Sequence, residues 1–487
     1  VDFIQEHLIN PVSDVLYSYI LVYLLVAAGI YFTVRTRFIQ VRYFGRMLRQ
    51  LTHSSAHGEG ISSFQAFCVG LASRVGTGNI AGVAIALTIG GPGAIFWMWV
   101  VASIGMATAL IEATLGQIFK VRAEDGTFRG GPAYYIQSGL GSRTGGVVFA
   151  VLLIFTFGFA FNMVQANAIS DVLNSSYEVE VVWTTVGLIA LAAPVLFGGL
   201  RTVARVAEFV LPLMALTYAI LAAVIVAIHI DYLPEVLGQI VGGAFGLTEV
   251  AGGFTGGIAA AMLNGVKRGL FSNEAGMGSA PNAAATATVS HPVRQGLIQS
   301  LGVFVDTMVI CTATAFIILV SGPSIYDPST PTRVEGATLT QAAVAQGLGD
   351  WTVTLMVVLV FVFAFSSVLG NYVYAEVNLY FLGARKTAIN IFRVLVLAAI
   401  GVGALSELAA VWALADVAMG LMALVNLTAI VLLGKWAFAA IRDYHRQYAT
   451  THDPVFVAEE AGLPGTLEGD IWCRKTAGPA VVGSEQA

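Results

Sequence analysis

Apolar residues gather along this chain into long blocks separated by shorter polar stretches. Each block holds about 20 residues, the length an α-helix needs to cross a bilayer core. Eleven are legible, at 14–33, 63–88, 94–119, 146–169, 181–199, 206–229, 262–289, 296–320, 352–383, 388–405 and 408–433. A lipid-exposed strand edge is not tolerated at that depth, so the pattern predicts an all-α polytopic membrane protein with eleven transmembrane helices. Basic residues give the orientation. Taking 34–60 as cytoplasmic puts the loops near 120–145, 200–205, 290–295 and 384–393, and everything after 434, on the same side. Those stretches hold 20 of the 24 Lys and Arg residues; Arg74, Lys267, Arg268 and Arg333 lie elsewhere. The bias predicts a multi-pass plasma-membrane protein with its N-terminus outside and its C-terminus in the cytoplasm.

Composition supports one integral unit. Of 487 residues, 57% are apolar and 11% charged, against about 25% charged in a soluble domain. Residues 1–445 form the membrane domain, and 446–487 a polar cytoplasmic tail that reads as partly disordered. The proline-bearing loop 321–350 reads as an external cap. A net charge of −5 without a basic patch argues against nucleic-acid binding. The absence of GxxxxGK[ST] argues against an ATP motor. Neither HExxH nor GxSxG occurs, and the spans hold no histidine pair, so an enzyme is not expected. Cys68, Cys311 and Cys473 lie too far apart in the chain for a disulfide framework. His53 and His57 are four apart beside Glu59, but in a polar stretch that reads as a solvated loop. Residues 1–12 lack a basic n-region, so no cleavable signal is expected.

The informative feature is where two blocks are interrupted. The second reads Ala72-Ser73-Arg74-Val75-Gly76-Thr77-Gly78-Asn79 near its middle. The seventh reads Phe271-Ser272-Asn273-Glu274-Ala275-Gly276-Met277-Gly278-Ser279-Ala280-Pro281-Asn282. Irregular backbone at membrane depth survives only where it is buried in protein or lines a polar cavity. Discontinuous helices at matching positions of two halves mark the site of a secondary transporter. The halves are 62–230 and 251–434, five spans each, so the second is inverted and the first span stands outside the repeat. Half-helix N-termini attract a carboxylate and half-helix C-termini a cation. The two breaks therefore suit an α-amino acid with a cation close by. Arg74 needs a partner at that depth, and Glu274, Glu112, Glu208, Asp306 and Glu376 are candidates.

Several longer motifs carry a resemblance: Gly90-Gly91-Pro92-Gly93-Ala94-Ile95-Phe96-Trp97-Met98-Trp99, Gly76-Thr77-Gly78-Asn79, Arg268-Gly269-Leu270-Phe271-Ser272-Asn273-Glu274-Ala275-Gly276, Asp306-Thr307 and Gly130-Gly131-Pro132-Ala133-Tyr134-Tyr135. From about residue 10 to 445 the chain resembles the alanine or glycine:cation symporters, also called sodium:alanine symporters. The resemblance implies a LeuT-like fold with inverted five-helix repeats plus one extra N-terminal helix. It implies uptake of alanine or glycine, coupled to sodium or protons by alternating access, with no organic cofactor. By the same resemblance Gly76, Thr77, Gly78 and Asn79 bind substrate with Gln165, and Ser272, Asn273, Gly276 and Met277 complete the pocket. Sodium falls to the Ala72 and Val75 carbonyls and the Ser366 and Ser367 hydroxyls. Many relatives carry tryptophan where this chain has Asn371. A larger neutral substrate such as serine or glutamine therefore stays open, since one methylene in an apolar pocket discriminates by only about 1–3 kcal/mol. An amino-acid channel is the runner-up class, but two unlike broken helices in one chain fit a carrier better.

Overall fold

A computed structural model describes residues 5–52, 60–123, 126–247, 257–327, 336–451, 453–467 and 469–474. His53, His57, Glu59 and Arg333 lie outside the described residues. In chain order the main elements are α1 (Asn10–Arg35), α2 (Phe44–Thr52), α3 (Ser63–Arg74), α4 (Gly78–Gly90) and α5 (Gly93–Ile118). A two-residue hairpin of β1 (Val121–Arg122) and β2 (Phe128–Arg129) leads to α6 (Pro132–Leu140), α7 (Arg143–Tyr177), α8 (Val181–Phe197) and α9 (Gly199–Ile228). Then come α10 (Leu233–Phe245), α11 (Gly257–Asn273), α12 (Ala280–Ala285) and α13 (Pro292–Val320). The chain closes with α14 (Gly336–Leu348), α15 (Trp351–Phe381), α16 (Lys386–Leu405) and α17 (Leu408–Tyr448).

Among the described residues, eight helices are long and apolar enough to cross a membrane, or nine when the pair α3 and α4 counts as one bent span. Local chemistry sets their ends. Ser62 and Gln65 form a capping box at the start of α3, each side chain taking the other's backbone N–H. Ser142 caps α7 through the Gly145 N–H at 3.1 Å, and Pro132 opens α6. Wide π-turns interrupt α4 at Gly78–Gly82, α7 at Thr156–Ala160 and α13 at Phe304–Cys311. Such turns recur at functional sites because they re-aim the side chains beside them.

Three segments differ from a simple hydropathy reading. The helix α10 falls in none of the eleven blocks; its 13 residues are too few to span. It lies against α5, where a Cβ on Gly93 would come within 2.4 Å of the Gly243 backbone. The loop 321–350 holds α14, which packs on the first broken helix: Thr340 Oγ1 donates to the Ile80 carbonyl at 3.3 Å. The described part of the tail is docked, and residues 475–487 lie outside the described residues. Phe456 and Trp472 are buried, the Phe456 N–H reaches the Ser290 carbonyl at 2.8 Å, and Trp472 Nε1 reaches the Gln117 carbonyl at 3.0 Å. Two aromatic side chains drive this docking, and a count of charges does not register them.

Candidate functional site

The first break follows from the residues at its centre. Val75 leaves helical geometry at φ −77°, ψ 89°, and the two halves meet at a 49° bend. The freed N–H groups of Gly76 and Thr77 are held by side-chain amide oxygens, Asn79 Oδ1 at 2.9 Å and Gln165 Oε1 at 3.1 Å. Gly76 has to be glycine: a Cβ there would sit 2.1 Å from Ser367 Oγ. That approach brings α15 onto the break. Ser367 Oγ lies 2.9 Å from the Ala72 carbonyl oxygen, to which it donates. Ser366 donates to the Phe363 carbonyl at 2.9 Å, and Val75 is buried. Thr77 Oγ1 is buried with no hydrogen-bond partner among the described residues.

The second break is a left-handed turn. Glu274, Gly276 and Gly278 have φ of 58°, 97° and 81°. Ser272 and Asn273, at the end of α11, turn toward α13: Ser272 Oγ donates to Asp306 Oδ2 at 2.8 Å, and Asn273 Nδ2 to Thr307 Oγ1 at 3.2 Å. Asn79 of the first break donates to Asp306 Oδ1 at 2.7 Å. Asp306 thus joins the two breaks, and all five of these polar residues are fully buried. Glu274 crosses between the halves as well, accepting from Ser73 at 2.7 Å and Ser279 at 2.5 Å. Asn371 is committed to this network through Ser73 at 2.7 Å and Asn162 at 3.0 Å.

The structure brings Ala72, Gly76, Thr77, Asn79, Gln165 and Ser367 together, and links Ser272 and Asn273 to them through α13. Gly78 packs under Phe271, where a Cβ would come 2.9 Å from the ring. Gly276 is turned elsewhere. Its N–H and that of Gly278 are taken by Glu112 of α5 at 3.2 and 3.1 Å, and its carbonyl by Asn426 of α17 at 2.9 Å. Met277, beside it, is buried.

Sequence reading treated Glu112 as a candidate partner for Arg74; the structure makes it the anchor of the second break. Arg74 interacts electrostatically with three of the five expected acids, Glu112, Glu274 and Asp306, while its Nη1 hydrogen bonds go to the carbonyl and side-chain oxygens of Gln299 at 3.2 and 3.3 Å. Glu208 accepts from Gln65 at 2.9 Å and Glu376 from Arg393 at 3.2 Å. Two further contacts went unread. Phe271 packs between Phe161 and Trp412 with ring centroids 4.4 Å apart on each side. Arg268 pairs with Asp416 and lies 4.6 Å over the Trp412 ring. Phe271 and Arg268 stand within the second-break motif, which was the available signal.

Two broken helices joined through buried polar side chains inside a helical membrane bundle are the architecture of a carrier. Comparison with known proteins gives the family. The model of the sodium:alanine symporter family matches residues 1–458. The chain is 48% identical over 466 residues to the amino-acid carrier protein AlsT of Bacillus subtilis, covering 96% of this chain and 97% of that one. It is 48% identical over 455 residues to the probable sodium/glutamine symporter GlnT of the same organism, covering 93% of each. It is 37% identical over 441 residues to the sodium/alanine symporter AgcS of Methanococcus maripaludis, covering 89% and 95%. The chain belongs to the sodium:alanine symporter family and is a transporter, not an enzyme. A solved manganese transporter of Eremococcus coleocola shares its fold at 12% identity and a TM-score of 0.50, covering 79% of this chain and 87% of that one.

Proposed function

We propose that this protein takes up a small neutral amino acid, alanine or glycine, together with sodium by alternating access. The observation that carries the reading is the pair of break N–H groups, Gly76 and Thr77, each held by an amide oxygen. A substrate carboxylate presents two oxygens to such donors, and exchanging one acceptor for another costs little. The free hydroxyl of Thr77 is a further donor to that carboxylate. Gly78 and Asn79 complete the first-break wall; Gln165, Ser272, Asn273, Met277 and Asn371 form the remainder.

Sodium goes to the carbonyls of Ala72 and Val75 with the hydroxyls of Ser366 and Ser367, all hard oxygen ligands without formal charge. The 2.9 Å from Ser367 Oγ to the Ala72 carbonyl supports that pairing. The fold reading is a LeuT-like bundle of eleven spans. Eight spanning helices, the bent pair, the short apolar α8 and the broken pair α11 and α12 supply that number. The N-terminus lies outside and the C-terminus in the cytoplasm.

Glutamine is the second reading. A relative named as a probable sodium/glutamine symporter is as similar as the amino-acid carrier, and Asn371 stands where the resemblance puts tryptophan. Uptake of labelled L-alanine into proteoliposomes tests the first reading, with an inward sodium gradient and again with potassium in its place. Accumulation that requires sodium supports it. Accumulation of glutamine but not alanine under the same gradient moves the assignment to the second. Uptake driven equally without sodium, by a proton gradient, overturns the coupling ion. Thr77→Val and Asn273→Ala are each expected to reduce uptake at least ten-fold in folded protein; wild-type rates in both would remove the two-break site.

A further inference from the structure

We propose that the cleft between the ends of α1 and α17 binds the phosphate of an anionic phospholipid headgroup. The cleft measures about 380 Å³ and is walled by Arg35, Arg37, Arg42, Arg442, His445 and Arg446. Tyr43 and Phe438 also line it, and none of its lining residues is acidic. Of these five arginines, only Arg446 has a carboxylate partner among the described residues: Asp443, at 2.5 Å. Asp443 is itself shared, lying 3.4 Å from His291.

Two of the other guanidinium groups, those of Arg35 and Arg42, are laid against rings and backbone. Arg35 lies 5.5 Å over the Phe438 ring and Arg42 5.6 Å over the Tyr43 ring. Arg42 Nη1 also donates to the Arg37 carbonyl at 3.2 Å. Behind Tyr43, Arg46 is sandwiched 3.8 Å from that ring and 3.9 Å from Tyr448, and its Nη1 is buried without a hydrogen-bond partner among the described residues. A guanidinium stacked by its face keeps its N–H edge for an oxyanion, and phosphate matches that edge with two oxygens.

The backbone points the same way. The end of α1 closes in a Schellman turn: the Phe38 N–H reaches the Thr33 carbonyl at 2.8 Å and the Arg37 N–H the Val34 carbonyl at 3.0 Å. The residue after the helix is normally glycine there, since the position is left-handed. This chain places Arg37 in it at φ 56°, and Phe38 follows at φ 56°. Strain kept at a non-glycine residue is compatible with a use for its side chain.

The choice of lipid over a soluble anion rests on the rim. Val34, Phe38 and Val41 beside the cleft are 59%, 55% and 69% exposed. Apolar side chains in that position suit the acyl boundary under a headgroup. The proposed topology puts this rim at the cytoplasmic leaflet, where anionic lipid is found and basic pockets between spanning helices take up its headgroups.

The test uses the full-length protein in detergent, with thermal unfolding followed after adding phosphatidylcholine or phosphatidylglycerol at equal mole ratio. Phosphatidylglycerol is expected to raise the midpoint by several degrees over phosphatidylcholine. Arg35→Gln with Arg442→Gln should lose most of that shift, and the exposed pair Arg385→Gln with Lys386→Gln should keep it. Arg37→Gly separates folding from binding: it relieves the turn, so the phosphatidylcholine midpoint should hold or rise while the phosphatidylglycerol shift shrinks. An equal shift in wild type and the Arg35/Arg442 variant would overturn the site. Inorganic phosphate reproducing the full shift would overturn the lipid assignment.

Discussion

At the scale of single residues, two positions decide how tightly the breaks are held. Gly76 lets α15 close on the first break, and the 2.1 Å a Cβ would leave to Ser367 Oγ cannot be absorbed without moving one of them. Gly76→Ala is therefore expected to cut uptake at least ten-fold and to cost about 1–3 kcal/mol of stability, the usual range for overpacking. Uptake in proteoliposomes, beside a thermal melt, checks both. Glu112 is the second position. It satisfies two buried N–H groups. Glu112→Gln keeps its shape but turns an amide NH2 toward one of the two N–H donors, and is expected to cost about 1–3 kcal/mol, the usual range for a buried donor left unsatisfied. A matching fall in the unfolding midpoint measures it; an unchanged midpoint would deny Glu112 its anchoring role.

At the scale of elements, each broken helix is tied to the bundle by a different device. The first leans on α15 and α14 through Ser367 and Thr340. The second is held from both sides, by Glu112 of α5 and by the buried ion pair Arg268–Asp416 that fastens α11 to α17. Removing one member of a buried pair leaves the other charge unmatched, typically at about 3–5 kcal/mol. Asp416→Asn should accordingly lower the unfolding midpoint more than the paired change Arg268→Met with Asp416→Leu. The reverse order would mean that the pair contributes little to holding the second break. The motifs at both breaks were legible in sequence because glycine, asparagine and serine interrupt apolar runs. Glu112 was harder to read. It lies four spans before the break it serves, and no local pattern records a contact across 164 residues.

At the scale of the whole molecule, the described part of the tail packs onto the membrane domain. His291 caps α13 beneath the docked tail, with Tyr444 and Phe456 against its ring and Asp443 at 3.4 Å. Burial is the largest influence on it and holds its pKa below the ordinary 6.5, against the opposite pull of Asp443 and with a smaller push from Arg294. The unfolded chain takes up this proton near 6.5 while the folded chain resists it, so stability is full above that pH and falls as pH drops below it. His291→Gln should flatten the slope of midpoint against pH between about 5 and 7; an unaltered slope would assign it to other groups. Trp472→Ala should free the tail, which hydrogen exchange at residues 453–467 would register as lost protection.

The sequence by itself determined the class of the molecule. Run length, sparse charge and basic bias follow from the bilayer, which constrains every residue it touches, so the all-helical membrane architecture and the two breaks are written locally. Tertiary structure alone decided the partners. Arg74 hydrogen-bonds a glutamine between the acids it faces, Asp306 joins the breaks, and the described part of the polar tail docks by two aromatic residues. Those outcomes depend on which helices stand side by side, and burial makes each contact matter only after the bundle has closed around it.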